Sequence, residues 1–487
     1  MDKAFNFPVP TIDWSALLPV AIVAVTGIIA LIVEMFRPKH NNNLIVGVSL
    51  GGLALSALSS VFLMQQTQYA TAADLYLRDS FGTVIQLLLV VTTALTILLS
   101  EVYLRQKRIA FGEFYPLVLW STVGAMVMSS SNNLLVIFLG LEILSVSLYV
   151  MAGMSRREEK SEESALKYFL LGAFASGFLL YGIAFIYGAT HGLDLDLVAT
   201  AWLRHDTGTH TMLIFGLALM LIGLGFKTSL APFHQWTPDV YQGAPTNVAA
   251  FMASGAKIGA FAALVRVITA FGALADYWVP ALTAIAILTM FVGNFAALVQ
   301  KDVKRILGYS SIANAGYLLV GIIAVGKDPR LGYGTIEYFL ISYTLMTVGA
   351  FGVITLLAKN GRESTRLEDL NGLWRRSPLA ALALLVFMAS LIGIPPTAGF
   401  VGKFLIFFDA LKTHQLTLAV VLAVNSIISI YYYMGIARAA FVADSEQVEP
   451  QAAKPSPAVT SVCAFCAVAI FAAVFFYSPL VGFLGQK

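Results

Sequence analysis

Charge is scarce in this chain: 12% of its 487 residues are Asp, Glu, Lys or Arg, against roughly one quarter in an ordinary soluble domain. That scarcity excludes a water-solvated surface over most of its length. The net charge of +3 comes without a basic patch, so nothing predicts a nucleic-acid partner. Cysteine is almost absent. Cys463 and Cys466 lie one helical turn apart and read as small apolar helix residues, and two thiols cannot hold an iron–sulfur cluster. Histidine is sparse too. His40, His191, His205, His210 and His414 fall in loops or at segment edges without metal-ligand spacing, and only His234 sits clearly inside an apolar segment, whereas a bis-histidine haem needs two. There is no glycine-rich phosphate loop and no nucleophile–base arrangement, so the residues predict no cofactor site and no metal in this chain. Low-complexity tracts are missing, and the longest linkers, around 189–209 and 359–377, are short.

What is present is apolar length. Hydrophobic residues make up 58% of the chain, and an apolar core of ~30 Å takes about 20 helical residues to cross. The sequence offers fourteen such stretches, approximately 15–36, 43–65, 80–101, 113–130, 132–153, 162–188, 210–242, 246–271, 277–299, 303–325, 333–358, 378–411, 418–441 and 457–485. The first carries Asp2 and Asp13 ahead of or at its start and no basic region or small-residue cleavage site, so it is expected to be retained as a helix. Alternate loops hold eighteen of the Lys and Arg residues and the opposite loops seven, with five inside spans. Because basic loops stay cytoplasmic, both termini are predicted on the non-cytoplasmic side.

Helix-breaking residues recur in a pattern. After a three-helix segment over 1–110, the next five spans (111–272) and the following five (273–445) are predicted to form two repeats, with a last helix in 446–487, all within a single membrane domain. Five is odd, so the second set is inverted relative to the first. The fourth span of the first set reads GFKTSLAPFHQWTPDVYQGAP, with Pro232 and Pro238; the fourth of the second reads GIPPTAGFVGKF, with Pro395 and Pro396. Matching interruptions in corresponding positions are the sequence mark of an inverted-repeat transporter fold. The expected fold is therefore an all-α polytopic membrane protein of about 14 transmembrane helices, with two inverted five-helix repeats and two discontinuous helices.

Charges inside the spans mark the candidate site. Glu142 in FLGLEILS lies about ten residues into its span, ~15 Å deep at 1.5 Å per residue. Lys227 and Lys403 sit beside the two interruptions, and Lys257 in ASGAKIGAF is about eleven residues deep. Four charges at helix centres cost ~10–14 kcal/mol on insertion scales, which implies a use. Burial favours a neutral amine and a neighbouring carboxylate favours the ammonium, so lysines balanced between the two can load and release protons. A static ion-paired framework is the plainer alternative, but three lysines and one glutamate cannot all pair. Lys167 and His234 are further candidates: Lys167 lies shallow enough to snorkel, and His234 follows the first interruption with an imidazole able to relay protons. Arg266 reads as a snorkelling residue and Asp239 as a half-helix cap.

These segments, in this order, resemble the antiporter-like membrane subunits of bacterial respiratory complex I, with WTPDVYQGAP pointing to the subunit N branch; FLGLEILS, ASGAKIGAF, KRILGYSSIANAGYLL and GIPPTAGFVGKF carry the rest. The likeness runs over essentially the whole chain. It implies fourteen helices broken at the seventh and twelfth, and a proton route through two linked half-channels. It also implies Glu142 and Lys227 as a coupled pair, Lys257 as central relay, Lys403 at the second break, and Lys167 as an additional family lysine. Lys403 argues against subunit M, where glutamate is expected, and the chain's length leaves no room for the long lateral helix expected of subunit L. Asn314 stands where many members have histidine, so a water-ordering role is expected there rather than proton uptake. FMN, iron–sulfur clusters, NADH and quinone are expected in partner subunits. The partners implied are the other membrane subunits of the complex and, through them, its peripheral redox arm, in the bacterial inner membrane. A subunit of a multisubunit sodium/proton antiporter would use the same lysines and breaks, and a non-transporting scaffold would use the charges only to set helix register.

Overall fold

The computed structural model describes residues 12–36, 42–64, 69–72, 75–204, 206–357, 363, 365–441 and 456–477. His40, His205 and Asp2 lie outside the described residues, as do Lys3, Arg37, Lys39, Lys359, Arg362, Lys454 and Lys487 among the basic loop residues counted above and positions 478–485 of the last predicted span.

The chain opens with α1 (Trp14–Phe36), α2 (Asn43–Met64), a small hairpin of β1 (Tyr69–Thr71) and β2 (Tyr76–Arg78), and α3 (Ser80–Gln106). Then come α4 (Phe114–Ser129), α5 (Leu134–Ala152), α6 (Glu159–Thr190), the short α7 (Leu197–Trp202), α8 (Thr207–Thr228) and α9 (Trp236–Gly243). The middle holds α10 (Thr246–Ala253), α11 (Gly255–Ala270), α12 (Ala275–Leu298), α13 (Val303–Lys327) and α14 (Gly334–Thr355). Last are α15 (Leu373–Arg376), α16 (Pro378–Ile392), α17 (Ala398–Lys412), α18 (Leu416–Phe441) and α19 (Pro457–Phe475). Twelve helical stretches among the described residues are long and apolar enough to cross a bilayer, and α4 and α16 are shorter apolar helices. Taking the pieces on either side of each break together recovers all fourteen expected spans, and the chain is a multi-pass all-α membrane protein.

Local chemistry sets the helix ends. Asp79, Asn133 and Asp302 cap α3, α5 and α13 by accepting from backbone N–H groups of Gly82, Leu135 and Arg305 at 2.8, 3.0 and 3.0 Å. Pro378 and Pro457 open α16 and α19, where a missing N–H costs nothing. Depth in the bundle does not follow apolarity. Every residue from Thr246 to Ile268 is buried, as is nearly all of α13 and α14, whereas α1, α2 and α19 leave one face to lipid.

Both expected breaks exist, with differences of detail. α8 stops at Thr228, Ser229 takes a left-handed conformation (φ 64°), and α9 begins at Trp236. Pro232 lies in that gap, but Pro238 does not interrupt: it sits in the first turn of α9, where proline is tolerated. α16 stops at Ile392, Gly393 is left-handed (φ 90°), and α17 resumes at Ala398 beyond Pro395 and Pro396. The span expected as one helix over 246–271 is itself divided at Ser254, between α10 and α11, without proline. Sequence periodicity cannot reveal such a break, because the flanking residues are buried on every face and leave no amphipathic pattern to be interrupted.

Candidate functional site: a buried polar row

Lys227, in the last turn of α8, is 3% exposed. Its Nζ donates to Ser145 Oγ and to the Tyr168 hydroxyl, each at 2.8 Å, and lies 4.9 Å from the centre of the Tyr168 ring and 5.7 Å from that of Tyr149. The C-terminal end of α8 adds favourable partial charge. Glu142 does not touch it. That carboxylate is half-buried on α5, one turn before Ser145, and accepts from the Ser176 hydroxyl of α6. The close crossing of α4 and α5 that sets this depth uses two glycines: a Cβ on Gly140 would come within 2.7 Å of the Gly124 carbonyl.

Lys257, three residues past the Ser254 break, is also 3% exposed and donates to the Ser311 carbonyl of α13 at 2.7 Å. Around Ser311 gather tyrosines from other helices. Tyr343 of α14 donates to its Oγ at 2.9 Å, and Tyr241 of α9 lies 3.5 Å from the same atom. Next along α13, Ser310 and Asn314 both bond the Tyr433 hydroxyl of α18, the second at 3.2 Å. Tyr432 then donates to Asn294 Oδ1 at 2.9 Å, and Asn294 Nδ2 donates to Tyr317 at 3.2 Å and to Asn425 at 2.9 Å.

Lys403 ends the row, 6% exposed, its Nζ 4.9 Å from the centre of the Tyr317 ring. It reaches back across the second break and donates to the carbonyls of Leu391 and Ile392 at 2.7 and 3.0 Å. Those are carbonyls that the ending of α16 frees, so the lysine caps the half-helix it does not belong to. Among the described residues, Lys227, Lys257 and Lys403 have no salt-bridge partner.

The remaining candidates are placed differently. Lys167 pairs with Asp239 (2.7 Å) and Glu163 (2.6 Å), and Arg305 joins Asp239 at 2.6 Å. Asp239 is thus a charge node between α6, α9 and α13 rather than a half-helix cap. His234 lies half-buried in the first break, outside the hydrogen-bonded row. Arg266 does not snorkel. It is 8% exposed, holds Asp79 with both terminal nitrogens at 2.9 and 2.8 Å, and donates Nε to the Ser129 carbonyl at 2.6 Å. The sequence shows the lysines as isolated charges; the hydroxyl and amide groups around and between them, Tyr168, Tyr241, Ser310, Ser311, Tyr343, Asn294 and Tyr433, are not distinguishable there. Their one signal is polar residues inside apolar spans, which helices also tolerate through bonds to their own carbonyls. No group of three or more His, Cys, Asp or Glu side chains able to hold a metal occurs among the described residues.

Residues 131–429 match the family described as NADH:quinone oxidoreductase/Mrp antiporter, transmembrane. NADH-quinone oxidoreductase subunit N of Salinibacter ruber is 41% identical over 100% of this chain and 98% of its own length. The chain belongs to the subunit N family. Its counterpart in Trichlorobacter lovleyi is 42% identical over 87% of this chain and 86% of that protein. A chain of respiratory complex I from Thermus thermophilus, solved with bound aureothin, superposes with a TM-score of 0.82 at 35% identity, covering 96% of this chain and all of that one. The Mrp complex of Dietzia superposes equally well (TM-score 0.83, 97% of each chain), but at 20% identity that likeness shows the fold alone.

Proposed function

We propose that this subunit N family member is a proton-translocating membrane subunit of a bacterial NADH–quinone oxidoreductase, lying in the inner membrane with both termini on the non-cytoplasmic side. The observation that carries the proposal is the burial of Lys227, Lys257 and Lys403 to 3%, 3% and 6% with no counter-ion among the described residues, each held instead by hydroxyl or backbone carbonyl oxygens. A structural lysine is stabilised by a carboxylate, whereas an amine held by hydroxyl and carbonyl oxygens accepts a proton and gives it up without breaking an ion pair.

The groups suggest a sequence of events. Ser145 and Tyr168 hold the Lys227 ammonium, and Glu142, one turn away, tips it electrostatically when the α5–α6 contact shifts. Between Tyr168 and Tyr241 stands Trp236, stacked on Tyr168 at 4.5 Å between ring centres, so this stretch is aromatic rather than hydrogen-bonded. Proton passage there needs a movement of the first broken helix. Beyond it, polar groups lie between Lys257 and Lys403: Ser311 and its chain neighbour Ser310, Tyr433 bonded to Ser310, the adjacent Tyr432 bonded to Asn294, and Tyr317, whose ring faces Lys403. Lys167, in its Asp239 and Arg305 node, lies at the edge of the row, and His234 supplies an imidazole in the moving break. Moving one charge against 100 mV costs ~2.3 kcal/mol. That energy is supplied by NADH oxidation at FMN and iron–sulfur clusters, and by quinone reduction, in partner subunits, through the neighbouring membrane subunits. We further assign residues 111–272 and 273–445 to two inverted five-helix units, one for each break.

The test is to tag the chain in its host, purify it in mild detergent and assay the eluate for NADH–quinone activity, flavin and iron–sulfur spectra. Co-elution of all three supports the reading. Elution with other membrane chains alone, in a particle that exchanges sodium for protons, refutes it.

A further inference from the structure

One buried carboxyl takes no part in the row. Glu337 lies in the first turn of α14, fully buried, and neither carboxylate oxygen has a hydrogen-bond partner among the described residues. Its surroundings are defined by three helices. The Phe81 ring, two residues beyond Asp79, lies 4.7 Å from the Tyr333 ring and 5.3 Å from the Arg266 guanidinium. Tyr333 is one helical turn before Glu337 and accepts the Glu337 backbone N–H at 3.0 Å. The charged group that acts on Glu337 is Asp79 at the start of α3, itself held by Arg266 near the end of α11. Tyr76 lies behind them, bonded by Gln86, which also bonds Ser130.

The charges there are already balanced. Arg266 spends both terminal nitrogens on Asp79 and its Nε on Ser129, leaving no cation for a second carboxylate. An ionised, unpaired carboxylate in such surroundings is strongly disfavoured, whereas the neutral acid is not. The same helix connects this carboxyl to the lysine row. Tyr343, which donates to Ser311 beside Lys257, is six residues further along α14, a rise of about 9 Å. Thr344, two full turns from Glu337 and so on its face, presents a buried hydroxyl that also has no partner among the described residues. About three hydrogen bonds span that distance.

We infer that Glu337 is a proton-binding residue at the outer end of the membrane domain, taking the proton that leaves the Lys257 region and passing it toward the outer face past the Asp79–Arg266 pair. The transfer is a simple one: the neutral carboxylic acid gives its proton outward and is reprotonated from the lysine side, with no other bond changed. This rests on the proposed function, since a chain that moves no protons has no use for such a group.

The experiment uses the whole enzyme in membrane vesicles, with Glu337→Gln, Glu337→Asp and Lys257→Ala made separately. Glutamine has the shape of the neutral acid, so Glu337→Gln is expected to assemble and oxidise NADH while losing protons moved per NADH and losing one protonated-carboxyl band in the infrared difference spectrum. Glu337→Asp is expected to restore the band and part of the pumping. Failure of Glu337→Gln to assemble shows an ionised, structural carboxylate and overturns the inference, as does undiminished pumping or an unchanged infrared band. Lys257→Ala separates the two levels of argument: normal pumping in that variant refutes the proposed function, whereas a pumping defect there beside normal pumping in Glu337→Gln refutes the role of Glu337 alone.

Discussion

At the scale of single residues, the pocket of Lys227 makes the sharpest demands. On the proposed function Lys227→Ala and Glu142→Gln remove a proton carrier and the charge that acts on it, and both are expected to leave the complex assembled while lowering coupled NADH oxidation and pumping by tenfold or more, about 1.4 kcal/mol or above in barrier. Normal pumping in both variants would exclude the pair. Tyr168→Phe is subtler. It deletes one of the two hydrogen bonds to the ammonium, worth ~1.5–3 kcal/mol when the donor is charged, and should slow pumping by roughly tenfold while Trp236 still stacks on the ring. Proton uptake by reconstituted enzyme measures each. The sequence made the lysines visible because ammonium groups have no place in an apolar helix. It left Tyr168 unread, because a tyrosine in a membrane span is ordinary until its hydroxyl is seen to face a cation. The expected coupling of Glu142 to Lys227 is not a direct contact: spacing gives depth along each helix, but the rotation of α5 that points Glu142 at Ser176 is set by packing against α6.

At the scale of elements, the breaks depend on close approach. A Cβ on Gly399 would lie 1.8 Å from the Ser390 carbonyl, which nothing but backbone displacement relieves. Gly399→Ala therefore pushes α17 from α16, withdraws Lys403 from Leu391 and Ile392, and is expected to abolish pumping and lower the temperature at which the chain dissociates from purified enzyme. An unchanged dissociation temperature would show that the two half-helices are not held as described. The connection between α14 and α15 is held differently. Glu363 accepts from Lys304 at 2.7 Å and lies 3.9 Å from Lys107, both lysines almost wholly buried. Val303 and Leu367 N–H groups tie this connection to the start of α13, bonding Thr365 and Lys301 carbonyls at 2.7 and 2.9 Å. Glu363→Ala strands the buried Lys304 ammonium, at ~3–5 kcal/mol, whereas Lys107 keeps Glu158 at 2.6 Å, so loss of the assembled chain from membranes is the expected result, read by quantifying it in the purified complex. Prolines announced the first and second breaks in the sequence. Ser254 announced nothing, since a helix interrupted inside a uniformly buried stretch keeps its apolar composition on both sides.

At the scale of the whole molecule, the direction of transport depends on which end of the bundle faces the cytoplasm. Arg266, Asp79 and Glu337 gather at the end that carries Arg78, Lys327 and Arg330, whereas Lys107, Glu158, Lys304 and Glu363 gather at the other. On the proposed orientation, which the asymmetry of eighteen basic loop residues against seven supports, the second end faces the cytoplasm. Both ends also contain buried ion pairs, so charge pairing alone does not distinguish them, and the count of basic residues carries the orientation. Labelling tests it directly, because the native thiols Cys463 and Cys466 are buried and give little background. Arg157 and Arg330 are exposed in loops at opposite ends, the latter with 89% of its side chain accessible. In intact spheroplasts a membrane-impermeant maleimide should label Arg330→Cys and spare Arg157→Cys; in inverted vesicles the pattern should reverse. The opposite result would turn the bundle over, make the Glu337 end the side of uptake, and require protons to cross the lysine row in the other direction.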